Sequence, residues 1–559
     1  MLSYAFEGST KRYIAKTIGD MLNDNAEKYA NNDCLISVHQ NIRLNYKQFN
    51  AEVDRLAKGL MALGIKKQDK VAIWSTNNAQ WVFTQFATAK IGAVLVTINP
   101  AYRTNELEYA LKQSEVNTLI MIEHFKTSNY IDIFYEVAPF ARGTTPGQIH
   151  SNKLPHLKNV VCISEEKHTG MFKWQDILDM SDKVSEEEFI ERQRSLNFDD
   201  VVNIQYTSGT TGFPKAAALT HFNILNNGYF VGEAMNFTDK DRLCIPVPFY
   251  HCFGMVMSNL TCTSHGATMI IPSEYFEPLS VLTVIEKEKC TAVHGVPTMF
   301  IAELEHPEFK KFDLSSLRTG IMAGSPCPVE VMKRVNKEMH MSEVEIAYGQ
   351  TESSPVITQT SVDDTLEHRT ETVGKALPFV EVKIVNPETG DIVPVGEQGE
   401  LCARGYNIMK YYYNNEEATK STVDDSKWLH TGDLAVMSED GYFKITGRIK
   451  DMIIRGGQNI YPREIEEFLY THPKISDVQV IGVPDKKYGE QVCAWIKIKD
   501  GESLTEEEVK EYCNEKIAHY KIPKYIKFTD SFPMTITGKI RKVEMREIST
   551  KELGLEDVK

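Results

Sequence analysis

The chain is short of several things, and each shortage excludes a class of protein. It has no apolar run long enough to cross a bilayer, the richest stretches being as short as Val94–Ile98, so no membrane span is expected. It has no surplus of basic charge: 62 Lys and Arg stand against 77 Asp and Glu, a net charge of −15 at pH 7. A broad nucleic-acid surface is therefore excluded, and phosphate must be held locally. Its ten cysteines include no CxxC pair, which suits free buried thiols in a reducing compartment. The first twenty residues mix Glu7 and Asp20 with Lys11, Arg12 and Lys16, without a charged-then-apolar order, so no cleaved targeting segment is expected and the cytoplasm is the natural location. There is no internal repeat and no low-complexity tract.

What is present is ordinary globular composition, 42% apolar and 25% charged, on 559 residues, enough for at least two domains. Val71–Trp74, a helical stretch with Val82, Phe86 and Ala89 on one face, Gly92 as a stop and Val94–Ile98 read as strand, helix, strand. Short apolar runs recur at Thr118–Ile122, Val160–Ile163, Val201–Tyr206 and Thr268–Ile271, which predicts an α/β part with a mostly parallel sheet. Ala141–Pro155, with Gly143, Pro146, Gly147 and Pro155, reads as an exposed excursion. A glycine- and charge-rich connector at Gly447–Gly457 separates a large domain, 1–447, from a small α+β one, 448–559. The small domain is predicted to hold strands at Val478–Val483 and Val492–Ile498. Its helix opens with a Thr505–Glu508 capping box and buries Val509, Cys513 and Ile517.

The strand at Val201–Tyr206 runs into Thr207-Ser208-Gly209-Thr210-Thr211-Gly212-Phe213-Pro214-Lys215. Two glycines let backbone amides approach an anion, four hydroxyls add donors and a lysine adds charge, so the segment suits a polyphosphate. On composition alone it is equally a flexible connector. It is not a Walker loop, because the glycine-to-lysine spacing differs and Ala216 follows the lysine.

YTSGTTGFPK resembles the phosphate-loop signature of the adenylate-forming superfamily, which includes acyl-CoA synthetases, adenylation domains and firefly luciferases. Four further motifs follow in the family's order: Tyr348-Gly349-Gln350-Thr351-Glu352, Thr431-Gly432-Asp433-Leu434, Gly447-Arg448-Ile449-Lys450-Asp451 and Thr537-Gly538-Lys539. The resemblance spans essentially the whole chain and is nearest to medium-chain fatty acyl-CoA synthetases, including the mitochondrial type. That makes the mitochondrial matrix the alternative location. It departs at Ala216, where many relatives carry glycine.

The resemblance implies ATP, Mg²⁺ and coenzyme A as cofactors, a fatty acid as substrate, and a large domain followed by a small mobile one; it leaves the oligomeric state open. It implies that Tyr348 packs on adenine beside Gly349 and Gln350, that Thr351 meets the α-phosphate and that Glu352 holds Mg²⁺, for which a carboxylate is the right hard ligand. Asp433 would accept the ribose hydroxyls, Arg448 would add a nucleotide contact, and Gly324-Ser325-Pro326 would lie against the base. Out of context, Glu352 reads as a solvated acid, Thr431-Gly432-Asp433 as a turn and Lys539 as part of a basic surface with Lys521, Lys524, Arg541 and Lys542.

In the family pattern Lys539 is the catalytic cation, because attack of a carboxylate on phosphorus brings anions together. Lys450 falls at the hinge and Gly457 beside the path of the pantetheine thiol. Tyr250-His251-Cys252-Phe253-Gly254 resembles the acyl-site segment, with Val296-Pro297 and Gly349 near it; His251 is equally readable as a packed core histidine. No carboxylate that would hold a substrate amine stands between Pro246 and Asn259. A carrier-protein adenylation domain, a luciferase-like oxygenase and a non-catalytic nucleotide binder are the rival readings. Lys539, Glu352 and Asp433 together argue against the last.

Overall fold

A computed structural model describes residues 1–207, 214–514, 516–535, 539–556 and 558. The expected unit forms as strand Lys70–Trp74, helix Ala79–Ile91 and strand Val94–Ile98, the strands parallel and in register. Asn78 caps the helix by accepting from the Trp81 amide, a contribution of about 1 kcal/mol. Gly92 ends it at φ 72°, where a Cβ would be strained. The helix is buried on every side, so its apolar residues are not confined to one stripe.

These strands belong to an eight-stranded sheet that runs parallel from Phe172–Lys173 through Asn159–Cys162, Thr118–Met121, Lys70–Trp74 and Val94–Ile98 to Val201–Thr207. It ends in two antiparallel additions, Lys215–Thr220 and Tyr411–Tyr412. A nine-stranded sheet holds Thr268–Ile271, Arg242–Cys244, Ala292–Val293, Thr319–Ala323 and Glu343–Gly349 in parallel. One large apolar core is shared by strands and helices of both sheets.

A third sheet departs from the expected α/β alternation. Tyr4–Phe6, Val380–Val385, Gly399–Gly405, Leu429–Met437 and Phe443–Arg448 are antiparallel throughout. The alternating burial of Val380–Val385 is the period-two mark of a sheet wet on one face, which needs no crossover helices. The segment 141–155 is irregular, as expected, but not loose: Ala141, Ile149 and Leu154 anchor it in the core beneath the first sheet.

After Phe443–Arg448 comes one turn of 3-10 helix, Ile449–Asp451, and then a small sheet of Ile453–Arg455, Gln458–Ile460, Ile475–Asp485, Gly489–Ile498 and Tyr525–Phe528. The Thr505–Glu508 capping box forms, and Val509 and Cys513 are buried. Ile517 is not on that helix, which stops at Cys513 because Asn514 turns extended at ψ 139°; it packs on the same cluster from the next turn. All ten cysteines are buried and unbridged. Among the described residues no helix is long and apolar enough to cross a membrane.

Candidate active site

Thr207 ends a parallel strand at its carboxyl edge, where open α/β sheets bind ligands. Lys215 opens the antiparallel return strand directly opposite it. Ser208, Gly209, Thr210, Thr211 and Gly212 lie outside the described residues, as do Thr537 and Gly538 of the last motif. The Lys215 ammonium stands 5.0 Å from the ring centre of Tyr412. The methyl of Ala216 faces into the core beneath the sheet, a position that removes no donor from the loop.

Tyr348 and Gly349 close a strand of the nine-stranded sheet, whereas Asp433 and Arg448 are cross-strand neighbours in the antiparallel sheet. The three polar side chains meet. The Tyr348 hydroxyl donates to Asp433 Oδ2 at 2.8 Å, and Arg448 Nε donates to Oδ1 at 2.8 Å. Asp433 is only 5% exposed, and these two donors satisfy its buried oxygens. Each oxygen retains a lone pair, so a cis-diol can still be accepted. Burial and then Asp433 push the Tyr348 hydroxyl pKa well up, which keeps it a donor.

Sequence reasoning missed what holds this turn. Glu400 Oε1 accepts the Gly432 amide at 3.0 Å, and Oε2 lies 2.9 Å from His430 Nδ1. Thr431 Oγ1 accepts the Asp433 amide at 3.1 Å. The signal available was His430, directly before Thr431-Gly432-Asp433. Its pKa is raised to about 10 by hydrogen bonding to Cys402 and then Glu400. A folded-state pKa above the free value contributes stability that is fully present below about 6.5 and lost as pH rises through about 10. Glu400→Gln is therefore expected to raise the KM for ATP several-fold and to lower Tm more at pH 7 than at pH 10. A Tm loss equal at both pH values would discount the ion pair.

Lys539 reaches this cluster from the small sheet's side of the chain. A Cβ built on Gly324 would lie 3.9 Å from Lys539 Cε, and Gly324 itself has φ 88° at the end of Thr319–Ala323. The Lys539 pKa is lowered by burial and then by the Arg448 charge, against the pull of Glu352, Cys252 and Asp433. Ser325 and Pro326 continue the same loop, Ser325 half-buried and Pro326 exposed. Gln350 opens the turn Thr351–Ser353, its amide donating to Ser353 Oγ at 3.0 Å. Thr351 and Glu352 are buried in that turn.

His251 has a definite structural role. Its Nδ1 accepts the Phe253 amide at 3.2 Å and caps the short helix Cys252–Gly254. Burial and the Lys539 charge drive its pKa to about 3, so the ring is neutral, and the cap assigns its proton to Nε2. Phe249, Cys252, Phe253, Met255, Val256 and Met257 form a buried wall beyond it. Met255–Leu260 is π-helical, a geometry frequent at functional sites. Cys252 Sγ donates to Gln205 Oε1 at 3.0 Å within this wall.

Two further residues lie on the connector and at the edge of the small sheet. Lys450 is exposed in the turn Ile449–Asp451, and Gly457 is exposed at a hairpin tip with φ 82° and open space around it. Gly349 cannot be enlarged to probe the acyl site. A Cβ there would lie 1.9 Å from the Pro355 carbonyl oxygen, so a larger residue would break the turn before it shortened a pocket.

The donor set fits the groups the motifs imply. Glu352 is 9% exposed; Oε1 accepts the Tyr412 hydroxyl at 2.5 Å, and Oε2 takes no hydrogen bond from the described residues. One open carboxylate oxygen near a lysine suits Mg²⁺ shared with phosphates.

Comparison with known proteins identifies the family. The AMP-binding enzyme family profile matches residues 22–413, and the profile of the AMP-binding enzyme C-terminal domain matches 464–539. YngI of Bacillus subtilis, provisionally an acyl-CoA synthetase, is 54% identical over 96% of this chain and 97% of its own. The mitochondrial medium-chain acyl-CoA ligase ACSF2 of Danio rerio is 44% identical over 99% of this chain and 91% of its own. The anthranilate CoA ligase AuaEII, solved with anthranoyl-AMP, superposes with TM-score 0.85 at 25% identity, over 97% of this chain and 98% of that one. The chain belongs to the AMP-binding enzyme family and is an adenylate-forming ligase of the acyl-CoA synthetase type, which works with ATP, Mg²⁺ and CoA.

Proposed function

We propose that the chain activates a medium-length aliphatic acid with ATP and transfers the acyl group to CoA. The observation that carries this reading is the joining of Tyr348, Asp433 and Arg448, with Lys539 reaching the Gly324 loop beside them and the apolar wall Phe249–Met257 behind His251. In the first step the acid's carboxylate attacks the α-phosphorus, the bond to pyrophosphate breaks, and an acyl-adenylate forms. Lys539 offsets the repulsion between the two anions as they meet, while Thr351 and the 207–215 loop hold the phosphates. Glu352 would hold Mg²⁺, which when bound would further neutralise phosphate charge. Tyr348 packs on the base opposite Gly324-Ser325-Pro326, and Asp433 with Arg448 takes the ribose side. Neutral His251 offers its Nε2–H to the reacting carboxylate. In the second step the CoA thiol attacks the acyl carbon and AMP leaves.

Residues 1–447 are the binding domain and 448–559 the mobile one, with Lys450 in the connector and Gly457 beside the thiol's path. In support, one 3-10 turn is all that separates the last strand of the antiparallel sheet from the first of the small sheet. The two family profiles also leave the stretch between 413 and 464 unmatched.

Medium chain length is supported by the wall's lack of a carboxylate and by the name of the zebrafish relative. Glu274, on the neighbouring cleft with Tyr250 and Met299, is exposed to solvent. Linear acids of roughly six to twelve carbons should show a higher kcat/KM than acetate, each buried methylene adding up to about 0.8 kcal/mol, or about fourfold. The test is a panel of acids in a pyrophosphate-release assay, with and without CoA. Acetate or an amino acid outrunning octanoate would overturn the chain length and leave the two-step ligation standing.

A further inference from the structure

Tyr412 belongs to none of the five motifs, yet it touches two of them. It lies on the two-residue strand Tyr411–Tyr412 at the end of the eight-stranded sheet, paired with Lys215–Thr220 so that Tyr412 faces Ala217. Its side chain is 3% exposed. The hydroxyl donates to Glu352 Oε1 at 2.5 Å, and the Lys215 ammonium stands 5.0 Å from the ring centre, within reach of a cation–π contact.

The backbone around it is pinned on every side. The Tyr412 amide donates to Thr419 Oγ1 at 2.9 Å, Lys410 and Tyr413 amides donate to Ala218 and Ala216 carbonyls, and the Met409 amide donates to the Glu352 carbonyl at 2.8 Å. A buried phenol on so rigid a support fixes whatever it holds.

We propose that Tyr412 is the positioning residue that sets Glu352 and Lys215 for a metal–polyphosphate, and that it selects Mg²⁺ over Ca²⁺. This rests on the reading of Glu352 as the metal carboxylate. The phenol takes one lone pair of Oε1 and fixes the plane of the carboxylate, which leaves Oε2 the less encumbered oxygen and disfavours a bidentate grip on a cation. Mg²⁺ demands an octahedron and usually takes one or two single carboxylate oxygens, whereas Ca²⁺ tolerates bidentate carboxylates and more ligands. The ring meanwhile restrains Lys215 without neutralising it, so its full charge stays available to phosphate. Tyr412 touches no reacting atom; it acts through the two groups that do.

The test measures ATP binding to the full-length protein by calorimetry in Mg²⁺, in Ca²⁺ and in EDTA. Tyr412→Phe, which keeps the ring over Lys215, is expected to raise the Kd for ATP in Mg²⁺ by roughly 10- to 100-fold, the usual cost of losing an outer partner of a metal ligand. The Ca²⁺ and EDTA values should change far less, so the preference for Mg²⁺ narrows. Tyr412→Leu should add a loss seen in EDTA as well, because Lys215 is released. In a Glu352→Gln background the phenylalanine substitution should have no further effect in Mg²⁺, which tests the coupling even if the single variant is weakly stable. Equal losses in all three media, or none in Mg²⁺, would overturn the assignment. If the unaltered protein binds ATP equally in Mg²⁺ and EDTA, and Glu352→Gln changes neither, the metal role of Glu352 itself falls and the assignment of Tyr412 falls with it.

Discussion

Lys539→Ala is expected to abolish adenylate formation while leaving thioester synthesis from supplied acyl-adenylate largely intact. In the proposed role the lysine stabilises charge that develops only when carboxylate and α-phosphate meet, so its loss should appear in that half-reaction alone. Removing one such stabilising group costs about 10²- to 10³-fold in kcat. Its surroundings suit this step: burial and Arg448 lower its pKa, while Glu352, Cys252, Asp433 and an incoming anion favour its charge. Pyrophosphate exchange reads the first step, and CoA thioester formation from synthetic acyl-adenylate reads the second. Equal losses in both would show that Lys539 holds the structure together instead.

Lys450→Pro is expected to separate the halves in the opposite sense. Proline fixes φ near −65° and removes an amide, so a connector that must adopt two conformations would keep only one. Lys450 sits in the single turn Ile449–Asp451, and the arrangement seen has Lys539 inside. The variant should therefore still form adenylate and lose the thioester step by at least about tenfold, equivalent to about 1.4 kcal/mol in the barrier. The same two assays decide it. A thioester step that keeps pace with adenylation would remove Lys450 from the hinge.

How far these residues were legible depends on how they are encoded. The five motifs are contiguous runs, and each carries a local requirement that can be read from residue type alone: glycines for close backbone approach, a carboxylate for a cation, a lysine for an anion. The strand–helix–strand unit at 70–98 was legible for the same reason, since its caps lie within the segment. Tyr412 and Glu400 were not, because their partners lie 60 and 30 residues away across strands and no local spacing marks them. Ile517 fits a helical period, but the chain leaves the helix at Asn514, where the backbone and not the apolar pattern decides. Gly349 resembles a pocket wall in the family pattern, whereas its need for glycine comes from a carbonyl 1.9 Å from any Cβ. The antiparallel third sheet was hidden behind motifs that sit on its strands.

The proximity of Lys539 to Arg448 gives the catalytic cycle its own timing. With no nucleotide bound, holding Lys539 here costs its burial and sets it toward the Arg448 charge, and these two together outweigh what Glu352, Cys252 and Asp433 return. If the small domain moves as proposed, polyphosphate would supply the charge that favours Lys539 inside. Once pyrophosphate departs, most of that negative charge leaves with it, and the two cations repel again. In the proposed two-domain cycle, loss of the leaving group would itself favour withdrawal of Lys539 ahead of the CoA step.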